Sequence, residues 1–243
     1  MDSGMKEKIR DSRAVSPVVG VMLMLVVAVI LAAVVSSFGS GISGSLKTKA
    51  PTATFKVRVV KNMPAPGMPG YTLNYTEIVQ TGGDPIPTEQ LKIITVNPDA
   101  YGDKKTMEVL PKSMNTHYHY WWYDANGTLR WSGWINGTSP YLNDMSKGWF
   151  GNNPAVDFGN YTTATGITMT ADWYSNYAQA KWNATLGDYE TNKSIDPYAG
   201  NVTGFCAMFA DCWNVTPGHF VTIKIVHAPT GTVIWQRDMM VEG

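Results

Sequence analysis

The feature that most constrains this chain is an uninterrupted apolar run from Val18 to Val35. The run contains 18 residues without a charge, and only Gly20 lies outside the apolar set. It is longer than the roughly 7–15 apolar residues of a secretory signal, so the sequence disfavours an ordinary signal peptide. As an α-helix, Ser16–Phe38 would be about 35 Å long, enough to cross a bilayer. A helix that is apolar all round must lie in lipid or among similar helices.

The flanks of this run predict where its helix begins and how it is oriented. Ser16 is a good N-cap, and Pro17 occupies the first helical position, where its missing N–H costs nothing. Four basic residues precede the run within residues 1–14, whereas only Lys47 and Lys49 follow it closely. This bias predicts a single pass with the N terminus in the cytoplasm and the bulk of the chain outside.

Sequons for N-glycosylation are frequent in the part of the chain predicted to lie outside. Because a sequon can be modified only on the translocated side, this abundance predicts a glycosylated exterior surface. A Thr-rich strand composition is the alternative explanation. Eight of the 15 asparagines head an Asn-x-Ser/Thr triplet, all after residue 70: Asn74, Asn126, Asn136, Asn160, Asn183, Asn192, Asn201 and Asn214.

The chain has two cysteines, Cys206 and Cys212, separated by five residues. Outside the cell such a pair favours a local disulfide over a catalytic dithiol, since neither a C-x-x-C spacing nor a metal-ligand set is present. Two buried free thiols are the alternative.

The residues just before the apolar run resemble a known processing signal. In Arg13-Ala14-Val15-Ser16, a basic and a small residue precede the hydrophobic segment, as in the class III leaders that prepilin peptidases cut. The continuation from Val15 to Leu23, VSPVVGVML, closely resembles the N-terminal segment of archaeal type IV pilins. The resemblance implies cleavage between Ala14 and Val15.

The resemblance also implies an organisation in four parts. These are a cleaved leader (1–14), a hydrophobic helix (15–38), a Gly/Ser linker (39–50) and a glycosylated head (51–243). The helix would be transmembrane in the precursor and would pack in a filament core after cleavage. Small residues that allow close helix–helix approach are present at Gly20, Ala28, Ala32 and Ala33.

After the linker the hydrophobic pattern changes to period two, which is typical of half-buried strands. We therefore predict that the long N-terminal hydrophobic helix is followed by a mainly antiparallel, immunoglobulin-like β-sandwich. Residues 136–204 are expected to form loops or extra strands, with a short helix near Ala171–Leu186. The predicted strands are Thr54–Val59, Tyr71–Thr76, Leu91–Val96, two aromatic strands within Thr116–Ile135, and a closing hairpin of Phe220–His227 with Thr232–Val241.

Two groups in the head could bind a metal, although a structural role is favoured for each. His117 and His119 would point to one face of a strand, but no third ligand is evident. Asp99 and Asp103 could contribute oxygen ligands to calcium, but their spacing lacks the EF-hand pattern and favours a simple turn. We predict no metal and no cofactor.

The aromatic strands could either fill the core or stack on sugars, and we favour the core. Tyr118, Tyr120 and Trp122 would share one strand face, with Trp121 and Tyr123 on the other. Trp131 and Trp134 lie on the second aromatic strand. No catalytic motif was found, so we predict that the protein is not an enzyme.

These features together predict a structural subunit of an archaeal type IV pilus-like surface filament that mediates adhesion. Its partners would be copies of itself, a prepilin peptidase, a membrane assembly platform and a glycan or other surface ligand, without nucleic acid. One alternative is an archaellum-type or minor pilin subunit. Others are a carbohydrate-binding surface protein held by an uncleaved helix, and a membrane-tethered hydrolase.

Overall fold

The structure is a computed structural model. It describes residues 17–43, 49–66, 69–70, 72–118, 121–131, 135–147, 153–174, 181–190 and 201–243. The chain divides into two compact units, Met1–Thr48 and Lys49–Gly243.

The described part of the first unit is the helix α1, which runs from Pro17 to Ser43 over 27 residues. We expected a linker from residue 39, but α1 continues through Ser43, and residues 44–48 lie outside the described residues. Once a helix is nucleated, each added residue contributes a backbone hydrogen bond, which explains how weak helix formers can extend its end.

The side chains described on α1 are those of Val18–Ala33. Within the described part of the chain, no helix combines the length and the hydropathy needed to cross a membrane.

The second unit is rich in short and medium strands. Among the described residues its strands are β1 (Ala53–Pro64), β2 (Thr72–Gly83), β3 (Ile86–Pro87), β4 (Leu91–Val96), β5 (Thr106–Val109), β6 (Thr116–Tyr118), β7 (Trp121–Tyr123), β8 (Leu129–Trp131), β9 (Ile135–Gly137), β10 (Tyr141–Leu142), β11 (Thr162–Thr163), β12 (Thr168–Tyr174), β13 (Lys181–Asn183), β14 (Asp188–Glu190), β15 (Phe220–His227) and β16 (Thr232–Glu242). A short helix, α2, covers Gly204–Met208, and single 3₁₀ turns form at Thr88–Gln90, Met145–Lys147, Pro154–Val156 and Cys212–Asn214.

One eight-stranded sheet organises this unit, in the order β10-β12-β2-β1-β16-β15-β4-β5. Neighbouring strands are antiparallel except β1 and β16, which run parallel with Val59 opposite Val241. The described pairing is completed by four two-stranded ladders, β3–β11, β6–β9, β7–β8 and β13–β14, and by an isolated antiparallel bridge between His117 and Val202. The closing hairpin, β15–β16, confirms the prediction for the C-terminal part of the chain.

Helix α2 packs against the large sheet and contacts β2, β5 and β12. All five residues of α2 are buried. Phe205 within α2 is fully buried, as are Phe158 and Phe209 outside it, and the rings of Phe205 and Phe209 lie 5.3 Å apart. The mainly antiparallel β domain is therefore confirmed, whereas the two-sheet sandwich is supported only in part, because no second sheet of comparable size occurs among the described residues.

The packing of α2 on β12 depends on Gly204. A Cβ at this position would lie 2.9 Å from the backbone nitrogen of Asp172 and 3.1 Å from Ser139 Oγ. Since a real Cβ essentially never approaches backbone so closely, glycine permits this contact.

The segment after α2 is fixed to the sheet by buried polar side chains. Lys61 donates from Nζ to the carbonyl oxygens of Cys212 and Trp213, at 2.9 and 2.5 Å. Burial lowers the pKa of Lys61 to about 8, and the nearby Asp211 carboxylate opposes that shift. The hydroxyl of Tyr189 donates to Phe209 O at 2.7 Å and accepts from the backbone nitrogen of Cys212 at 2.6 Å.

The prediction of a short helix near Ala171–Leu186 is wrong. Its first residues belong to β12, which pairs with β2 from Thr168 to Tyr174, and β13 begins at Lys181. Pairing along a long neighbouring strand satisfies the backbone of β12, so tertiary contacts override a weak local helix preference. Helix α2 lies further along, at Gly204–Met208.

The structure joins Cys206 and Cys212 in a disulfide whose Cα atoms are 4.9 Å apart. Both residues are fully buried. We therefore expect Cys206→Ala with Cys212→Ala to lower the free energy of unfolding by about 2 kcal/mol, because the short loop would no longer be closed in the unfolded chain. Urea denaturation of residues 49–243 with both cysteines or both alanines measures this difference. Equal midpoints and slopes would show that the bond does not stabilise the head.

Candidate functional site

Helix α1 exposes the apolar side chains of Val18–Ala33. Every large apolar side chain from Val18 to Leu31 is exposed, and the exposed fraction ranges from 47% at Val19 to 78% at Met24. Covering such a side chain contributes about 1.5–3 kcal/mol. The side chains Val18–Ala33 therefore form an apolar surface suited to lipid or to other apolar helices.

The small residues predicted to allow close packing lie within this surface. Gly20, Ala28, Ala32 and Ala33 are all exposed, and a Cβ added at Gly20 would meet no atom within 4 Å. Ala28 and Ala32 are four residues apart and so lie on one face of the helix. Neighbouring small side chains of this kind permit a close approach of helix backbones.

A second candidate site is a cleft of about 440 Å³ in the second unit, which we call the His117 cleft. Its wall is formed by residues from β5, β6, β9, β14 and α2, which are far apart in the sequence. Its lining combines polar side chains with apolar ones. The polar members include Glu108, Asn115, His117, Asn136 and Asp188, and the apolar ones include Met107, Tyr189 and Ala207.

The His117 cleft is held in place by paired strands and side-chain bonds. His117 lies opposite Asn136 in the β6–β9 ladder, and His117 Nδ1 is 2.5 Å from Asn136 Oδ1. On its other side, the backbone of His117 exchanges two hydrogen bonds with Val202, at 2.7 and 2.8 Å. Asn115 exchanges two hydrogen bonds with the backbone of Ser139, at 2.8 and 3.0 Å. These contacts preorganise the polar wall of the cleft.

Charge in the cleft comes mainly from two carboxylates. Glu108 forms a partly exposed ion pair with Lys92, with Nζ and Oε1 3.2 Å apart. Asp188 accepts a hydrogen bond from the backbone nitrogen of Tyr189 at 2.7 Å. Sequence analysis missed both carboxylates, because nothing local marks two acidic residues that only the tertiary fold brings together.

Among the described residues, Asp99 and Asp103 do not form a metal site, and His119 of the other candidate pair lies outside the described residues. Asp99 Oδ2 instead lies 2.7 Å from His219 Nδ1, in a partly exposed pair, and Asp103 is exposed. In the part of the chain that the structure describes, no three His, Cys, Asp or Glu residues are grouped as metal ligands.

The aromatic strands form the predicted hairpin, β7–β8, with Trp121 opposite Trp131. Trp122 and Tyr123 lie on the same hairpin. Tyr118 is buried, as a core role requires. Several predicted site residues lie outside the described residues: Arg13, Ala14, Val15, His119, Tyr120, Trp134 and Asn192.

The sequons differ sharply in accessibility. Asn74 and Asn201 are only 1% and 2% exposed, and Asn74 Oδ1 accepts a hydrogen bond from the backbone of Asn62 at 2.8 Å. Their burial leaves little room for a glycan in the folded head, so we do not expect modification at these two positions. Asn183 is half-buried. The remaining described sequons, at Asn126, Asn136, Asn160 and Asn214, are exposed.

Residues 13–55 match the family model described as the N-terminal region of archaeal type IV pilins. The resemblance to archaeal type IV pilins is confirmed over this segment. The match includes the apolar surface of α1 and the first residues of β1.

Two further similarities extend beyond this segment. An uncharacterized protein of Archaeoglobus fulgidus is 37% identical over 84 residues, which is 35% of this chain and 52% of the relative. The chain thus spans about half the length of that curated relative. A solved structure of biomass-sensing modules from putative RsgI-like proteins of Clostridium thermocellum is described as resembling a family 3 carbohydrate-binding module. The alignment covers 76% of this chain and 99% of that structure's chain. Its 12% identity and TM-score of 0.25 do not establish a shared fold.

The accessibility of the sequons leads to a prediction about modification. In protein isolated from its own host, glycopeptide mass spectrometry should find glycans among Asn126, Asn136, Asn160 and Asn214. The peptides containing Asn74 and Asn201 should be unmodified, because their side chains lie inside the folded head. A glycan at Asn74 in folded protein would contradict the burial described above.

Proposed function

We propose that this chain is a subunit of a type IV pilus-like surface filament. In this proposal α1 anchors the precursor in the cytoplasmic membrane and later packs in the filament core. The single observation that carries the proposal is the apolar surface of α1, which has no polar side for water and lies within the pilin-like segment. The glycosylated head coats the filament and faces the medium.

The partners follow from the same segment. Copies of α1 cover one another's apolar surfaces in a helical array built from one repeated contact that does not close on itself. A prepilin peptidase acts at Arg13, Ala14 and Val15, and a membrane platform assembles the subunits. The exposed head is then available for surface attachment, which is the role we propose for the filament.

Processing can be tested at the N terminus of material sheared from the cell surface. Mass spectrometry should find a peptide beginning at Val15 in the sedimentable fraction. Arg13→Glu should leave the full-length precursor in the membrane, because it reverses the charge next to the proposed cleavage site. Lys8→Glu also reverses a positive charge, but farther from that site, and this variant should be processed normally. Normal cleavage of Arg13→Glu would refute the assignment.

Assembly can be tested on the small residues of α1. Ala32→Asp should abolish filaments, because a charge would be buried without a partner between apolar helices. Ala32→Ser keeps a small uncharged side chain at this position and should assemble nearly as well as the unaltered chain. Sheared filaments are counted by electron microscopy, and intact Ala32→Asp precursor in the membrane shows that the chain is made. Normal filament numbers for Ala32→Asp would contradict core packing at Ala32.

A further inference from the structure

We infer that the His117 cleft binds the first sugar of a glycan that is attached to the chain itself at Asn136. The inference rests on the extracellular location in the proposed function, and it goes further by giving the cleft a ligand class and an occupant. The occupant is the first sugar of an N-linked glycan, covalently held at the rim.

The attachment point is part of the cleft. Asn136 heads an Asn-x-Thr sequon, is exposed and lines the cleft. The contact of its Oδ1 with His117 Nδ1 orients the amide by its oxygen. Among the described residues Nδ2 forms no hydrogen bond, so the nitrogen that takes a sugar is available.

The modification requires a sugar donor linked through phosphate to a carrier lipid. In the transfer, a bond forms between Nδ2 and the sugar C1 while the bond between C1 and the phosphate oxygen breaks. The lipid phosphate leaves with that oxygen, and Nδ2 gives up one proton to a base of the transferase. The protein contributes the acceptor amide and is not itself oxidised or reduced.

The cleft suits a sugar in size and in lining. Its volume of about 440 Å³ lies within the range of pockets that hold small molecules. The carboxylates of Glu108 and Asp188 can accept hydrogen bonds from sugar hydroxyls. Met107 and Tyr189 offer apolar surface to the C–H face of a sugar ring. Both chemistries occur in the same cleft, as a hydroxylated ring requires.

Position distinguishes Asn136 from the other exposed sequons. Asn126 lies in the β7–β8 turn, where Asp124 Oδ1 accepts hydrogen bonds from the backbone of Asn126 and Thr128, each 2.9 Å long. Asn160 donates from Nδ2 to Pro154 O at 2.8 Å. Neither residue lines the cleft. Asn126 therefore provides a matched control, because a glycan attached there has no cleft to bind.

The experiment uses the full chain in four forms from its own host and from a bacterial host that adds no glycan. The forms are the unaltered protein, Asn136→Gln, Asn126→Gln and the double variant. Glycopeptide mass spectrometry establishes occupancy, and hydrogen exchange follows backbone amides of residues 114–117 and 187–189. The bacterial set measures the effect of each side-chain change without any sugar.

In the native-host set, Asn136→Gln should make these amides exchange about tenfold faster, because it removes the sugar whose binding in the cleft hinders local opening. Asn126→Gln should leave the exchange unchanged, and the bacterial set should show no comparable difference between Asn136→Gln and the unaltered chain. An occupied Asn136 with unchanged exchange would overturn the inference, and so would an unmodified Asn136. Sedimentable filaments in the same preparation test the proposed function separately, so either failure can be recognised without the other.

Discussion

The head depends on the burial of one short segment against the inner face of the eight-stranded sheet. Residues 201–212 are buried without exception, and they include α2 and both cysteines. The segment shares one hydrophobic core with Val57, Ile78 and Ile93 of the sheet, and the described residues offer no second sheet of comparable size. The hydrophobic effect therefore ties the sheet and the segment into one core.

The polar groups of this segment explain how such a short piece of chain can replace a sheet. A helix of five residues leaves most of its backbone groups without intrahelical partners. Lys61, Asn97 and Tyr189 supply bonds to the segment from Phe209 to Trp213, and Thr95 donates to the carbonyl of Met208. Because a buried unsatisfied carbonyl or N–H costs about 1–3 kcal/mol, these side chains are as necessary as the apolar contacts.

The two units obey different physical requirements, which suits the two tasks in the proposed filament. The described side chains of α1 are exposed and apolar, and in the proposed filament they would be covered by lipid or by partner helices. The head has its own hydrophobic core.

The sequence by itself determined the features that depend on neighbours along the chain. These include the apolar run that becomes part of α1, the alternating strands β1, β2 and β4, and the β15–β16 hairpin, because side-chain period and turn residues act over a few positions. The residues at the start of the predicted helix, Ala171–Tyr174, form a strand because they pair with β2, and no local pattern indicates that pairing. Only the tertiary structure decided that Asn74 is buried and Asn136 is exposed, although each begins an Asn-x-Thr sequon. The same holds for the His117 cleft, because its residues come from five separate elements that meet only after the sheet and α2 have packed.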